Sequence, residues 1–165
     1  MRVAAEEGTR KVIRDHSTIG IVVTTDGSVT ELAREDYAPA EARVVAELRD
    51  IGKPFLVLLN TADPAGERAQ SLAADLSVQY DAACLPVNCQ TLTEQDVLEI
   101  LRTILYEFPV AEACFRMPEW MDVLPPDNAV KQQLYARLRE QMPSLRCLRQ
   151  ARRTAQALSE DPLLE

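Results

Sequence analysis

The apolar residues of this chain gather into three short runs separated by stretches with helical periodicity. The runs are Ile19-Gly20-Ile21-Val22-Val23-Thr24-Thr25, Pro54-Phe55-Leu56-Val57-Leu58-Leu59-Asn60 and Ala83-Cys84-Leu85-Pro86-Val87-Asn88. Each ends in polar, turn-forming residues: Thr-Thr-Asp-Gly, Asn-Thr-Ala-Asp and Asn-Cys-Gln-Thr. Short apolar runs bounded in this way read as strands, here near residues 18–25, 54–60 and 82–88.

Helical patterns fill the gaps. Residues 3–15 set Val3, Ala4, Val12 and Ile13 against Arg10, Lys11 and Arg14. Residues 29–38 are mixed and polar and predict a loop with a short helical turn ending near Tyr37. Pro39 suits a helix start, because the N–H it lacks is unsatisfied there anyway. That helix runs from Ala40 to Ile51 with Ala42, Val45, Leu48 and Ile51 inward, and Gly52 is its natural stop. A third helix spans 66–79 with Ala69, Leu72, Ala73 and Leu76 inward. Thr93 caps a fourth, with Asp96 completing a capping box. Its apolar stripe is Val97, Leu98, Leu101, Ile104 and Leu105, and it ends near Glu107. The order α-β-α-β-α-β-α predicts an α/β fold: three layers with a parallel sheet core and right-handed crossovers.

Past Phe108-Pro109 the pattern changes. Residues 110–117 predict one more strand, at an edge because proline flanks it on both sides. Pro118-Glu119-Trp120-Met121 begins a turn or short helix, with Trp120 packing the appendage on the sheet. Residues 127–158 read as helical, broken at Pro143. They gather Lys131, Arg137, Arg139, Arg146, Arg149, Arg152 and Arg153, and their leucines call for a surface on the same domain or on a second copy. The acidic tail from Ser159 to Glu165 reads as frayed.

Composition narrows the classes. A chain of 165 residues suits one domain with an appendage, and 47% apolar content argues against global disorder. A net charge of −8 and a pI near 4.8 disfavour non-specific nucleic-acid binding. No apolar run reaches the roughly 18 residues that span a bilayer. The first residues lack a signal-peptide core, which points to an intracellular protein. Cys84, Cys89, Cys114 and Cys147 form no CxxC pair and have no zinc spacing, so they read as free thiols. His16, the single histidine, reads as a surface or capping residue.

Ligands of open α/β sheets bind at the carboxyl ends of the strands. The candidates there are Thr25 and Asp26 after the first strand, Asn60 and Asp63 after the second, and Asn88 and Cys89 after the third. Two hydroxyls and a carboxylate in Thr24-Thr25-Asp26 suit a metal or a water, or equally the backbone of a turn. Asn60 and Asp63-Pro64 serve equally well as strand end and turn. The chain has no GxxxxGK[ST], so it lacks the amides, lysine and hydroxyl that hold phosphate and metal. No catalytic or metal residue is assigned.

One set of motifs adds a resemblance. Ala4-Ala5-Glu6, Gly8-Thr9-Arg10-Lys11-Val12-Ile13, His16-Ser17-Thr18-Ile19-Gly20, Thr24-Thr25-Asp26-Gly27 and Gly52-Lys53-Pro54-Phe55 stand in order. Leu76-Ser77, Tyr106-Glu107-Phe108-Pro109-Val110 and Pro118-Glu119-Trp120 follow. In this the chain resembles the stage IV sporulation protein A family of spore-coat morphogenetic ATPases, over a middle segment of the family protein. The resemblance implies a partial P-loop NTPase fold of the GTPase-like kind. Residues 1–109 would be the C-terminal half of that domain, and 110–165 a helical appendage that starts the middle region. It implies ATP and Mg as cofactors of the full-length protein, with the phosphate loop and metal-binding aspartate lying before this chain. The chain alone is then expected to bind no cofactor and to lack ATPase activity.

The resemblance also implies ATP-driven assembly of the coat basement layer on the forespore surface, in the mother-cell cytoplasm. The expected partners are further copies of the chain and spore coat proteins, with no nucleic acid, and with a membrane reached only through a partner. Asn60-Thr61-Ala62-Asp63 stands where a GTPase has Asn-Lys-x-Asp, with Thr61 in place of the lysine. In that motif the aspartate accepts two hydrogen bonds from guanine. Asn88-Cys89-Gln90-Thr91 stands at the third base-contacting loop, which acts through backbone amides. Two other readings remain open: a nucleotide-independent interaction module and a guanine-binding GTPase half. In the implied fold the first strand is central, so a missing neighbour bares its edge from Ile19 to Thr25. That edge predicts self-association, unless an element such as the C-terminal helix covers it.

Overall fold

A computed structural model describes residues 11–159. The chain divides into two compact units between Glu107 and Phe108. In the first unit, β1 (Gly20–Thr25), β2 (Phe55–Asn60) and β3 (Cys84–Val87) form a parallel sheet in the order β1-β2-β3. The connecting helices are α1 (Arg34–Ile51) and α2 (Glu67–Gln79), and α3 (Glu94–Tyr106) follows β3. Residues 11–16 are also helical, and the rest of the helix expected at 3–15 lies outside the described residues. This is the expected α/β architecture of a partial P-loop NTPase-like domain, a parallel sheet flanked by helices.

Strand alternation assigns the two faces of the sheet. Val22, Phe55, Val57 and Leu59 form one core with Val45 and Leu48 of α1, Ala73 and Leu76 of α2, and Tyr80. The register pairs Ile21 with Leu56 and Val23 with Leu58, which places these four on the opposite face. Leu56 and Leu58 are buried, α3 packs against β2, and Ile100 and Ile104 are its buried residues. Ile21 and Val23 stay 47% and 61% exposed.

Helix ends follow local chemistry. Gly52 takes φ +71° at the end of α1, and its N–H reaches the Arg49 and Leu48 carbonyls. Thr93 and Asp96 form the full capping box of α3. The start of α1 differs from the expectation at Pro39. The helix begins at Arg34, five residues earlier, and holds Pro39 in its second turn. Pro39 forfeits the bond to the Glu35 carbonyl. Compensation comes from Glu35 and Asp36 in the first turn and from an Arg34–Glu41 ion pair of 2.7 Å.

The stripe of α3 also departs from expectation. Ile104 is buried as foreseen, but the inward row is Ile100 and Ile104, while Val97, Leu98, Leu101 and Leu105 are exposed. The apolar arc of this helix is wider than the sheet beneath it, and the surplus faces solvent.

On β3 the backbone of Ala83 and Val87 turns toward β2, accepting the Val57 and Thr61 N–H groups. By alternation Cys84 and Pro86 present the outer edge, where Pro86 offers no N–H.

The second unit contains α4 (Trp120–Val123), α5 (Ala129–Gln141), a 3₁₀ turn (Met142–Ser144) and α6 (Leu148–Ser159). Pro143 sits in that turn and produces the foreseen break. Residues 110–117 form no strand. Just before it, a Pro109–Cys147 bridge is flanked by bonds from Val110 N–H to the Arg146 carbonyl and from Leu148 N–H to the Phe108 carbonyl. Trp120 stays 58% exposed beside a groove lined by Phe115, Met121, Leu134 and Leu158. Among the described residues, no helix is long and apolar enough to cross a membrane.

Candidate functional site

The parallel register brings three turns together at the carboxyl ends of β1, β2 and β3. The turn after β1 is built by its own side chains. Thr25 Oγ1 accepts the Gly27 N–H at 3.1 Å, and Gly27 takes φ +87°, a conformation suited to glycine. Asp26 is buried, and both of its oxygens are used. Oδ1 accepts the Ser28 N–H at 2.9 Å and the Ser28 hydroxyl, and Oδ2 accepts the Thr61 hydroxyl at 2.8 Å. Burial alone would raise the Asp26 pKa. The bonds from Ser28 and Thr61 outweigh it and hold the carboxyl below its ordinary range.

Thr61 is 1% exposed. Its side chain points into the protein, toward Asp26. The following amides are held as well: Ala62 N–H by Ser28 Oγ at 2.9 Å and Asp63 N–H by Thr61 Oγ1 at 3.3 Å.

Asn60 Oδ1 accepts the Cys89 N–H at 3.0 Å, which joins the ends of β2 and β3. In the turn after β3, Asn88 Oδ1 accepts the Gln90 N–H at 3.0 Å and the Asn88 carbonyl accepts the Thr91 N–H at 3.1 Å. Asn88 Nδ2 donates to the Ala62 carbonyl at 3.4 Å. The Cys89, Gln90 and Thr91 amides therefore all have partners inside the protein.

Asp63 is different. It is exposed, and its carboxylate makes no hydrogen bond among the described residues. It stands beside the first turn leading to α2, where a Cβ at Gly66 would lie 2.7 Å from Asp63 Oδ2. The space left by the missing Gly66 side chain is the space the carboxylate uses.

A buried polar cluster anchors the end of β1 from below. Glu41 Oε1 accepts from Arg34 Nη2 and from the Tyr80 hydroxyl, both at 2.7 Å, and Arg34 Nη1 donates to Thr24 Oγ1 at 3.3 Å. Glu41 Oε2 is buried without a hydrogen-bond partner. Burial pushes the Glu41 pKa up, but the Arg34 and Tyr80 bonds and the Arg34 charge win and lower it. Burial and the bond to Glu41 push the Tyr80 pKa up to about 12. Burial, then the Glu41 charge, pushes the Cys84 thiol up to about 12.

The six residues singled out by sequence thus gather at one end of the sheet. Thr25, Asp26, Asn60 and Asn88 spend their side chains on the turns, and Cys89 spends its amide. Asp63 keeps a carboxylate that makes no hydrogen bond among the described residues. Sequence reasoning missed Ser28, Glu41 and Gly66. Ser28 carries a legible signal two residues after Asp26, but its bond to Ala62 depends on tertiary structure. No group of three or more His, Cys, Asp and Glu suited to a metal occurs among the described residues.

Comparison with known proteins gives the arrangement a family. The model of "Stage IV sporulation protein A, ATPase domain" matches residues 1–109. Proteins named Stage IV sporulation protein A from Bacillus subtilis (strain 168) and Clostridioides difficile (strain 630) are each 40% identical to this chain over 162 residues. Those matches cover 98% of this chain and 33% of each relative. The Bacillus anthracis protein of the same name is 41% identical over 157 residues, 95% of this chain and 32% of its own length. The chain therefore spans about a third of the length of the curated relatives it matches. No solved structure matches it. With its family model covering the whole sheet unit and these relatives covering nearly all of the chain, the chain belongs to the stage IV sporulation protein A family, in the segment of its ATPase domain.

Proposed function

We propose that this chain is the base side of a nucleotide-binding domain in a sporulation ATPase, completed by a separate phosphate-binding half. The observation that carries the reading is Asp63. The neighbouring Thr25, Asp26, Asn60 and Asn88 side chains are engaged in the turns, and the exposed Asp63 carboxylate stands open to accept a donor from a base. The open edge of β1 and the exposed Ile21, Val23, Leu101 and Leu105 support completion by a further strand and helix.

In this reading residues 1–109 belong to the ATPase domain and 110–165 begin the region that follows. ATP phosphates and Mg are held by the other half, so the chain alone hydrolyses nothing. The assembled ATPase drives formation of the coat basement layer at the forespore surface, in the mother-cell cytoplasm, through self-association and contacts with coat proteins.

The test is complementation. The chain is mixed with the phosphate-binding part of the Bacillus subtilis relative, and ATP and GTP binding are compared with and without Asp63→Ala. The reading expects nucleotide binding and hydrolysis only in the mixture, and weaker binding in the variant. GTP preferred over ATP, with the preference lost in Asp63→Ala, would establish the guanine-binding alternative. Nucleotide affinity untouched by Asp63→Ala would remove the base contact.

A second reading rests on the internally satisfied Cys89, Gln90 and Thr91 amides and on inward-turned Thr61, which leave little to grip a base. It makes the chain an interaction module that binds coat proteins or longer family members without nucleotide. Coat-protein capture that persists after nucleotide is removed supports it, and capture that needs ATP argues against it.

A further inference from the structure

The segment from Asn60 to Asp63 is shaped by a residue outside it. Most hydrogen bonds in these turns are local, such as Gly27 N–H to Thr25 and Ser28 N–H to Asp26, two residues apart. Those bonds only close the turn that contains them. The bond from Ala62 N–H to Ser28 Oγ spans 34 positions and does nothing for the turn of Ser28 itself.

The hydroxyl of Ser28 has one proton, given to Asp26 Oδ1, and lone pairs free to accept from Ala62. Asp26 Oδ2 in turn takes the Thr61 proton, and Thr61 Oγ1 accepts from Asp63 N–H. Thr61 and Ala62 are therefore both drawn toward the β1 turn. The next residue, Asp63, is left with its amide fixed and its carboxylate outward.

We propose that Ser28 is a positioning residue for Asp63, setting the base-contact turn so that the carboxylate meets donors on a purine edge. The proposal rests on the base-side reading above. Thr61 is turned inward onto Asp26, so in this proposal orientation of the Asp63 carboxylate does the selecting. Ser28 touches no nucleotide in this arrangement and acts through Ala62, and through Asp26 and Thr61, on Asp63.

Two measurements test it. Amide exchange by NMR on the chain comes first. Ser28→Ala should speed exchange at Ala62 by about tenfold, the loss of one hydrogen bond, and shift the Asp63 amide. Leu56 and Leu59 in the core should not change, and Ser28→Thr, which keeps the hydroxyl, should restore the original rates. Ala62 exchange within twofold of the unmodified chain overturns the positioning role.

Nucleotide affinity in the complemented domain comes second. Ser28→Ala should weaken binding by about 3- to 10-fold, with Ser28→Thr within twofold of the original. Unchanged affinity in Ser28→Ala, with a clear loss in Asp63→Ala, overturns the proposal while leaving the base-side reading standing. Unchanged affinity in Asp63→Ala sinks that reading and the purine part of the proposal with it, and amide exchange then decides the clip by itself.

Discussion

Asn60 Oδ1 lies 3.0 Å from the Cys89 nitrogen and accepts its N–H, so a side chain joins the ends of β2 and β3 beyond the last rung of the sheet. Asn60→Ala should cost about 1 kcal/mol, a typical net value for one such bond. Asn60→Asp keeps the acceptor and should cost less. Urea unfolding gives the energies, and the exchange rate of the Cys89 amide shows whether the link itself has opened. An unchanged Cys89 rate in Asn60→Ala would mean that the link does not hold the turn.

The inward Thr61 carries a second prediction. Thr61→Val keeps the shape but removes the proton given to Asp26 and the acceptor used by Asp63. It should cost about 1–3 kcal/mol, because a buried carboxylate loses a donor. Thr61→Ser should stay within about 1 kcal/mol of the original. Thr61→Lys places a long cation at a position only 1% exposed and should lower the melting temperature more than Thr61→Val does. Equal melting temperatures for the Val and Lys variants would show that the turn opens easily enough to let the lysine out.

Stability should fall on both sides of neutrality for reasons fixed by Glu41, Asp26 and Tyr80. The Glu41 pKa is lowered from an ordinary 4.5 and that of Asp26 from 3.8. Their contribution is therefore complete above those ordinary values and is lost as pH falls through the lower folded-state values. The Tyr80 pKa is raised from 10.0 to about 12, so its contribution is complete below 10.0 and is lost as pH climbs toward 12. Thermal melts across pH should show a shallower acid limb for Glu41→Gln and a flatter alkaline limb for Tyr80→Phe. Glu41→Ala, which strands the Arg34 guanidinium, should cost about 3 kcal/mol at neutral pH.

The bare flank of the sheet should associate when no completing half is present. Val23→Lys places a charge on the open face of β1, and Leu101→Glu places one on the surplus arc of α3. Neither side chain is part of the buried core, so melting temperatures should move by less than about 1 kcal/mol equivalent. Light scattering should then report a smaller species for the double variant than for the unmodified chain. A monomeric unmodified chain with rapidly exchanging β1 amides would remove edge pairing.

The readable parts of the sequence are those decided by local chemistry. The three strands, the Gly52 stop, the Thr93–Asp96 box and the break at Pro143 each depend on a few adjacent residues, and each stands where the pattern puts it. Pro39 misled because the Arg34–Glu41 pair, two turns apart, supports an earlier start than proline chemistry alone suggests. The α3 stripe misled because periodicity reports an apolar arc but not how much sheet lies under it. At the strand ends, the residue types were legible and their roles were not. Asn60 and Asp63 carry similar polar groups, yet one is spent on Cys89 and the other is free, a difference created by the register of β2 against β3.

Pro86 makes the two margins of the sheet unequal. On the outer side of β3 the Cys84 N–H stands next to a residue that has none, so this four-residue flank is a poorer template for another strand than β1. Copy-to-copy joining through β1 therefore favours a pair of chains, each with a proline-interrupted outer margin, over a ribbon. The same asymmetry favours β1 as the place where a completing half adds.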